Sequence, residues 1–197
     1  MSDATIIYWF RNDLRIHDNP ALSKALEAGK PVIPVFVADN LWYESPHGEL
    51  GFARSGTKRK QFLAESLLDL KKTLETFGST LYIFKGETAD ILKELSRHTN
   101  CSKIVAQREI AREEKDLEHL VSKNVPLELH WGSMLYQPDL VDFPAEKSPF
   151  YYTKFKNKVL NQPYAPLTVT TLGKETPGKL SKIQIPPTLK DLMRRNG

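Results

Sequence analysis

Two kinds of apolar run alternate along the chain, and their order predicts the architecture. Five short stretches, 6–10, 32–38, 81–85, 103–107 and 127–131, are rich in β-branched and aromatic residues. The first two lack polar alternation, as strands buried on both faces of a parallel sheet do. Between them apolar residues recur at helical spacing: Ala21, Leu22, Ala25 and Leu26 ahead of Gly29; Phe62, Leu63, Ser66, Leu67, Leu70 and Leu74 within 57–77, ahead of Gly78; Ile91, Leu92 and Leu95 within 88–98; and Leu117, Leu120 and Val121 within 111–123. Strands alternating with helices in this way predict an α/β fold, a Rossmann-like, doubly wound five-stranded parallel sheet with right-handed crossovers.

The first strand should sit centrally, and the polar run Arg11–Asp18 follows it directly. Asn19-Pro20 then supplies a helix cap and a proline at the first helical position. In open α/β sheets ligands bind beyond the carboxyl ends of the strands, which is where Arg11–Asp18 fall. Pro34 is an awkward member of the second strand because it cannot donate to a ladder. Residues 40–56, with aromatics, Pro46 and three glycines, read as one long loop at the same edge.

Beyond Gly132 the pattern changes. Prolines at 138, 144, 149, 163, 166, 177, 186 and 187 punctuate the chain, with one short helical stretch at 153–160. Residues 133–197 therefore read as a strap and linker attached to a domain at 1–132. Composition sharpens this division, because the overall charge of +4 hides an asymmetry. Residues 147–197 hold ten Lys or Arg against Glu175 and Asp191, a balance of +8, whereas residues 1–146 hold 18 against 22 acidic residues. Such a basic tail, with Phe150, Tyr151, Tyr152 and Phe155, reads either as a solvated linker or as a nucleic-acid grip.

At 40% hydrophobic and 26% charged residues, the chain is globular in character. No apolar run approaches the roughly 18 residues of a membrane span, so no membrane partner is expected. The N-terminal residues lack the order of a secretory signal. The lone Cys101 excludes an internal disulfide and fits a reducing compartment, so a cytoplasmic location is expected.

Much chemistry is missing. No Gly-x-Gly pair exists for a dinucleotide fingerprint, and no Gly-x-Ser-x-Gly elbow for a hydrolase nucleophile. The segment Gly51-Phe52-Ala53-Arg54-Ser55-Gly56-Thr57-Lys58 approaches a phosphate loop, but with Thr and Lys reversed and no strand leading into it. The five histidines are scattered and imply no metal site. Glu113 and Glu114 suit the first turn of a helix, whereas Glu109 lies in the loop before it and is free to hold a ligand.

The stretch Tyr8-Trp9-Phe10-Arg11-Asn12-Asp13-Leu14-Arg15-Ile16-His17-Asp18-Asn19-Pro20-Ala21-Leu22 closely resembles the start of the DNA photolyase and cryptochrome family. Three later segments agree: Phe62-Leu63-Ala64-Glu65-Ser66-Leu67 with Leu70, Leu74 and Gly78; Arg108-Glu109-Ile110 with Glu113-Glu114; and Tyr152-Thr153-Lys154-Phe155. The loop after the fourth strand and Leu135-Tyr136-Gln137-Pro138 lean towards DASH-type cryptochromes.

The resemblance covers nearly the whole chain but only the N-terminal half of such a protein. It implies an antenna domain that holds a folate, deazaflavin or flavin chromophore and passes excitation to a reduced flavin. In the family that flavin adenine dinucleotide lies in a following helical domain, which also receives damaged DNA. This chain is expected to meet such a domain in cis or in trans, to hold no catalytic residue and to repair no DNA alone. The implied antenna-site residues are Arg11, Phe36, Val37, Ala38 and Glu109. The apolar three also read as core, and Arg11, Arg15 and Asp13 also read as an ion-pair network that fixes the loop. One departure stands out: Ala111-Arg112 occupy the place where some folate-using members carry Asn-Glu, which speaks against folate held in that manner. The alternative function is a stand-alone nucleotide-binding or regulatory module on the same fold.

Overall fold

A computed structural model describes residues 4–44, 51–134, 141–161 and 179–194. The elements follow in order: β1 Thr5–Phe10, α1 Pro20–Glu27, β2 Pro31–Asp39, α2 Asn40–Tyr43, α3 Thr57–Thr76, β3 Tyr82–Gly86, α4 Thr88–His98, β4 Cys101–Gln107, α5 Arg112–Ser122, β5 Leu127–His130, α6 Tyr152–Leu160, β6 Lys179–Leu180 and α7 Pro187–Arg194. The five expected strands are present and parallel, in the order β3-β2-β1-β4-β5, which makes β1 the central strand.

The strands' twofold alternation divides the core between two faces. Ile6, Tyr8 and Phe10 pack with Leu22, Leu26, Leu70 and Leu74 of α1 and α3. Ile7 and Trp9 pack with Leu92, Leu95 and Val121 of α4 and α5. Helices on both faces are what bury every side chain of β1 from Ile6 to Phe10.

A sixth strand is a departure from the five expected. β6, from the proline-rich tail, pairs in parallel with the start of β2 through Pro31↔Lys179 and Val32↔Leu180. It also resolves the difficulty of Pro34. The β6 pairing stops at Val32 and the β3 pairing starts at Val35, so the residue without an N–H sits at the gap between two ladders. The tail then continues across the sheet edge. Ser79 Oγ donates to Ser181 O at 3.2 Å, and Tyr82 exchanges hydrogen bonds with the Ile183 backbone. α7 buries Leu189 in the core, flanked by Ile183, Ile185, Leu192 and Met193.

Two helical faces are narrower than their patterns suggest. Phe62 is 71% exposed and Leu120 is 48% exposed, while Leu67, Leu70, Leu74 and Val121 face inward. Both outliers lie on the outer side of α3 and α5, where a helix reaches the sheet with only part of its apolar arc. α6 spans the expected helical stretch, and Phe150, Tyr151, Tyr152 and Leu160 in and beside it are exposed. The expectation for Leu135–Pro138 lies outside the described residues.

Because Leu189 is nearly fully buried, Leu189→Ala should cost about 2–4 kcal/mol in denaturant unfolding. A loss below about 0.5 kcal/mol would mean that α7 adds little to the folded core.

Candidate functional site at the carboxyl ends of the strands

The loop after β1 is held by two buried polar clusters. In the first, Asp13 accepts from the Tyr8 hydroxyl, from Arg11 N at 2.9 Å and from Asn19 Nδ2 at 2.9 Å. Asn19 is the N-cap of α1, its Oδ1 accepting from Leu22 N at 3.1 Å, and Pro20 follows at the first helical position as expected. Burial, followed by the charge of Asp13, drives the Tyr8 hydroxyl well above its ordinary pKa, so it stays a donor.

In the second cluster the Arg11 guanidinium pairs with Glu118 of α5, donates to Gln107 O at 3.2 Å and lies 4.6 Å above the Trp9 ring. The two side chains are only 6% and 10% exposed. Glu118 also accepts from Glu109 N at 3.0 Å. The ion-pair reading of the loop therefore holds for Arg11, but with different partners. Asp13 takes neutral donors instead of an arginine side chain, and Arg15 is half-exposed beside Asp18 at 3.8 Å. The reason is position: Arg11 follows Phe10 immediately and meets α5 across β4, whereas Arg15 lies farther out along the loop.

A crevice opens above these clusters. It encloses about 70 Å³, or about 510 Å³ with its solvent-open mouth. Trp9, Phe10, Arg11 and Asn12 from the end of β1 line it, with Phe36, Val37 and Asp39 from β2 and Glu114 and Leu117 from α5. Trp42 and Tyr43 of α2 and Arg59 of α3 complete the wall. Of the five residues implied by resemblance, Arg11, Phe36 and Val37 thus share one crevice. Ala38 is not part of this crevice and lines a separate groove, although it shares a face of β2 with Phe36. Glu109 lies just behind Asn12, accepting from Asn12 Nδ2 at 3.2 Å and Gln107 Nε2 at 3.4 Å.

The long-loop expectation for 40–56 had hidden the other half of the wall. Asp39 caps two helices at once, accepting from Leu41 N at 2.9 Å and Thr88 N at 3.0 Å. This turns 40–43 into α2 and sets Trp42 and Tyr43 over the sheet edge. The signal was present in the Asp-Asn pair at the end of the strand, since Asp is a favoured N-cap. Burial raises the Tyr43 hydroxyl, with Arg59 opposing the shift and Asp39 adding to it.

The arrangement suits binding without bond-making. Its aromatic and apolar walls, with the exposed Arg59, match a flat ring system that carries an anionic group. Asp39 and Nη1 of Arg11 are already held by internal hydrogen bonds. Among the described residues no group of three His, Cys, Asp or Glu could hold a metal ion. The segment resembling a phosphate loop is likewise engaged: Arg54 makes two 2.8 Å hydrogen bonds to Glu113, and Gly56 caps α3 without side-chain help.

Fold and crevice together define a doubly wound α/β domain with a crevice at the strand ends, where β1 is flanked by β2 and β4. The chain belongs to the DNA photolyase family, whose model matches residues 6–172. It is 36% identical over 160 residues to the chloroplastic/mitochondrial cryptochrome DASH of Arabidopsis thaliana, covering 78% of this chain and 28% of that protein. The cryptochrome structure from Synechocystis superposes with a TM-score of 0.82 at 26% identity, over 95% of this chain and 40% of the other. An archaeal photolyase from Sulfolobus tokodaii, whose structure holds two FAD molecules, shares the fold with a TM-score of 0.70 at 22% identity, over 90% and 38% of the two chains. The chain thus spans well under half the length of these relatives. No helix among the described residues is long and apolar enough to cross a membrane.

Two outcomes check the polar clusters. Arg11→Ala should destabilise the chain by about 3 kcal/mol because it strands a buried carboxylate, and Arg11→Ala with Glu118→Leu should recover part of that loss. Equal losses in the single and double variants would contradict a coupled pair. Burial raises the Glu109 carboxyl, with Arg11 and then Asn12 opposing. The folded chain then keeps this proton to higher pH than the unfolded chain, so this group's contribution to stability falls as pH climbs from about 4.3 through the raised value. Glu109→Gln should flatten that decline in denaturant midpoints measured from about pH 4 to 7, and an unchanged slope would show that Glu109 is not its source.

Proposed function

We propose that this chain is the antenna-holding α/β portion of a light-driven DNA repair enzyme or blue-light receptor. It takes a folate, deazaflavin or flavin chromophore at the crevice formed by Arg11, Phe36, Val37, Trp42, Tyr43 and Arg59. The observation that carries this reading is the composition of that crevice: aromatic walls and an exposed cation at the edge of the sheet. The enclosed part admits the edge of a ring system, and the body of the chromophore lies in the solvent-open mouth. A flavin-type antenna is favoured over folate, because Ala111-Arg112 replace the Asn-Glu of folate-using members and the Sulfolobus photolyase holds a second FAD.

In this reading the chain repairs no DNA alone. A helical FAD-binding domain, in cis or in trans, supplies the photochemistry and receives the damaged DNA. The exposed Phe150, Tyr151, Tyr152 and Leu160 support such a partner, since an exposed apolar patch among lysines marks an interaction surface. Residues 1–132 form the antenna domain and 133–197 the strap leading to that partner. The single thiol, Cys101, suits a reducing compartment.

An absorption spectrum of freshly purified protein from about 300 to 500 nm, with mass spectrometry of the small molecule released on denaturation, tests this reading; the window is where these ring systems absorb. A released flavin, deazaflavin or folate is the expected result. A colourless chain that also fails to bind added flavin mononucleotide, while shifting its melting temperature with AMP, would replace the antenna with a nucleotide-binding module.

A further inference from the structure

The crevice carries its charge unevenly, and the unevenness follows from the fold. α3 packs against the face of the sheet that shows Tyr8 and Phe10, whereas α5 packs against the face that shows Ile7 and Trp9. Each helix brings one charged side chain to the crevice from its first turn, Arg59 from α3 and Glu114 from α5. A cation and a carboxylate therefore stand on opposite sides of the sheet, at its carboxyl edge.

The other charged groups of the lining have internal partners. Asp39 gives one oxygen to Leu41 N and the other to Thr88 N, and Arg11 holds Glu118 through Nη1. Arg59 and Glu114 are engaged less fully. Among the described residues Arg59 is in no hydrogen bond or ion pair, and its charge reaches the Tyr43 hydroxyl. Glu114 accepts from Ala111 N through Oε2 at 3.2 Å, which leaves Oε1 to accept from a ligand.

We infer that these two side chains fix which way round the chromophore lies and select one with an anionic tail. The ring presents an N–H donor to Glu114, and the tail meets Arg59. This rests on the antenna reading of the crevice and adds the chemical feature the site selects. A flavin, deazaflavin or folate ring carries an N–H donor on the side remote from its tail, so one such molecule can satisfy both groups at once. A guanidinium matches a phosphate by its fork of donors. Lying the other way round, the same anion would meet a carboxylate, and that like-charge contact rejects the reversed pose.

Riboflavin and flavin mononucleotide share a ring system and differ by one phosphate. Their dissociation constants for the chain, followed by flavin fluorescence, make the test. Flavin mononucleotide should bind about tenfold more tightly at about 50 mM salt, and the advantage should shrink at about 500 mM. Arg59→Ala should bring the two flavins within about twofold of each other; this side chain is exposed and has no internal bond to lose. Glu114→Gln keeps an oxygen for the Ala111 cap and should weaken both flavins alike, about threefold. Equal affinities in the unaltered chain, or an undiminished phosphate advantage in Arg59→Ala, would overturn the inference. So would a Glu114→Gln variant that tightens flavin mononucleotide alone, because the anion would then lie beside α5. In each of these cases riboflavin still binds and the antenna reading stands. Binding of neither flavin would remove that reading and this inference with it.

Discussion

The pair between Arg11 and Glu118 is the contact on which the strand-end architecture depends. It joins the end of the central strand to α5 across β4, and the same carboxylate anchors the Glu109 backbone. Two charges this deeply buried are worth little as a net source of stability, but each is costly without the other. The pair therefore acts as a registration device. With Arg11 fixed, Asn12 reaches Glu109, and the Asp13 cluster can seat Asn19 as the cap of α1. The charged loop is thus satisfied from within, and the cation left facing solvent at the crevice is Arg59.

The central place of β1 and the positions of the main helices were legible because each long apolar run had one clear period and each helix had a recognisable end. Asn19-Pro20, Gly29 and Gly78 stood where caps and stops belong, and all three sit at helix boundaries. What escaped were elements with too little periodicity of their own. β6 contributes two residues, and its partner is the start of a strand nearly 150 positions earlier. α7 carries just one deeply buried residue, Leu189, and proline frequency in the tail masked it. α2 is a single turn that exists because Asp39 caps it, and a turn that short has no sequence period to detect.

The site was legible in part for a related reason. Resemblance pointed to the end of the sheet, and Arg11, Phe36 and Val37 do meet there. A chain read residue by residue does not show how the surface divides into concavities, so Ala38 was grouped with Phe36 and Val37 although it lines a separate groove. Nor does it show that Arg11 is consumed by an acid on α5, more than a hundred positions away. Trp42, Tyr43 and Arg59 became visible as a wall once the double cap of Asp39 was placed.

On the proposed reading, the crevice above β1 and β2 takes the chromophore and the groove lined by Ala38, Leu63, Leu67 and Ile83 does not. Amide chemical shifts of the labelled chain, followed during titration with flavin mononucleotide, test it most directly. The largest changes are expected at Arg11, Asn12, Val37, Trp42 and Tyr43, with Leu63, Leu67 and Ile83 unmoved. Changes confined to that second group, or none at saturating flavin, would contradict the account.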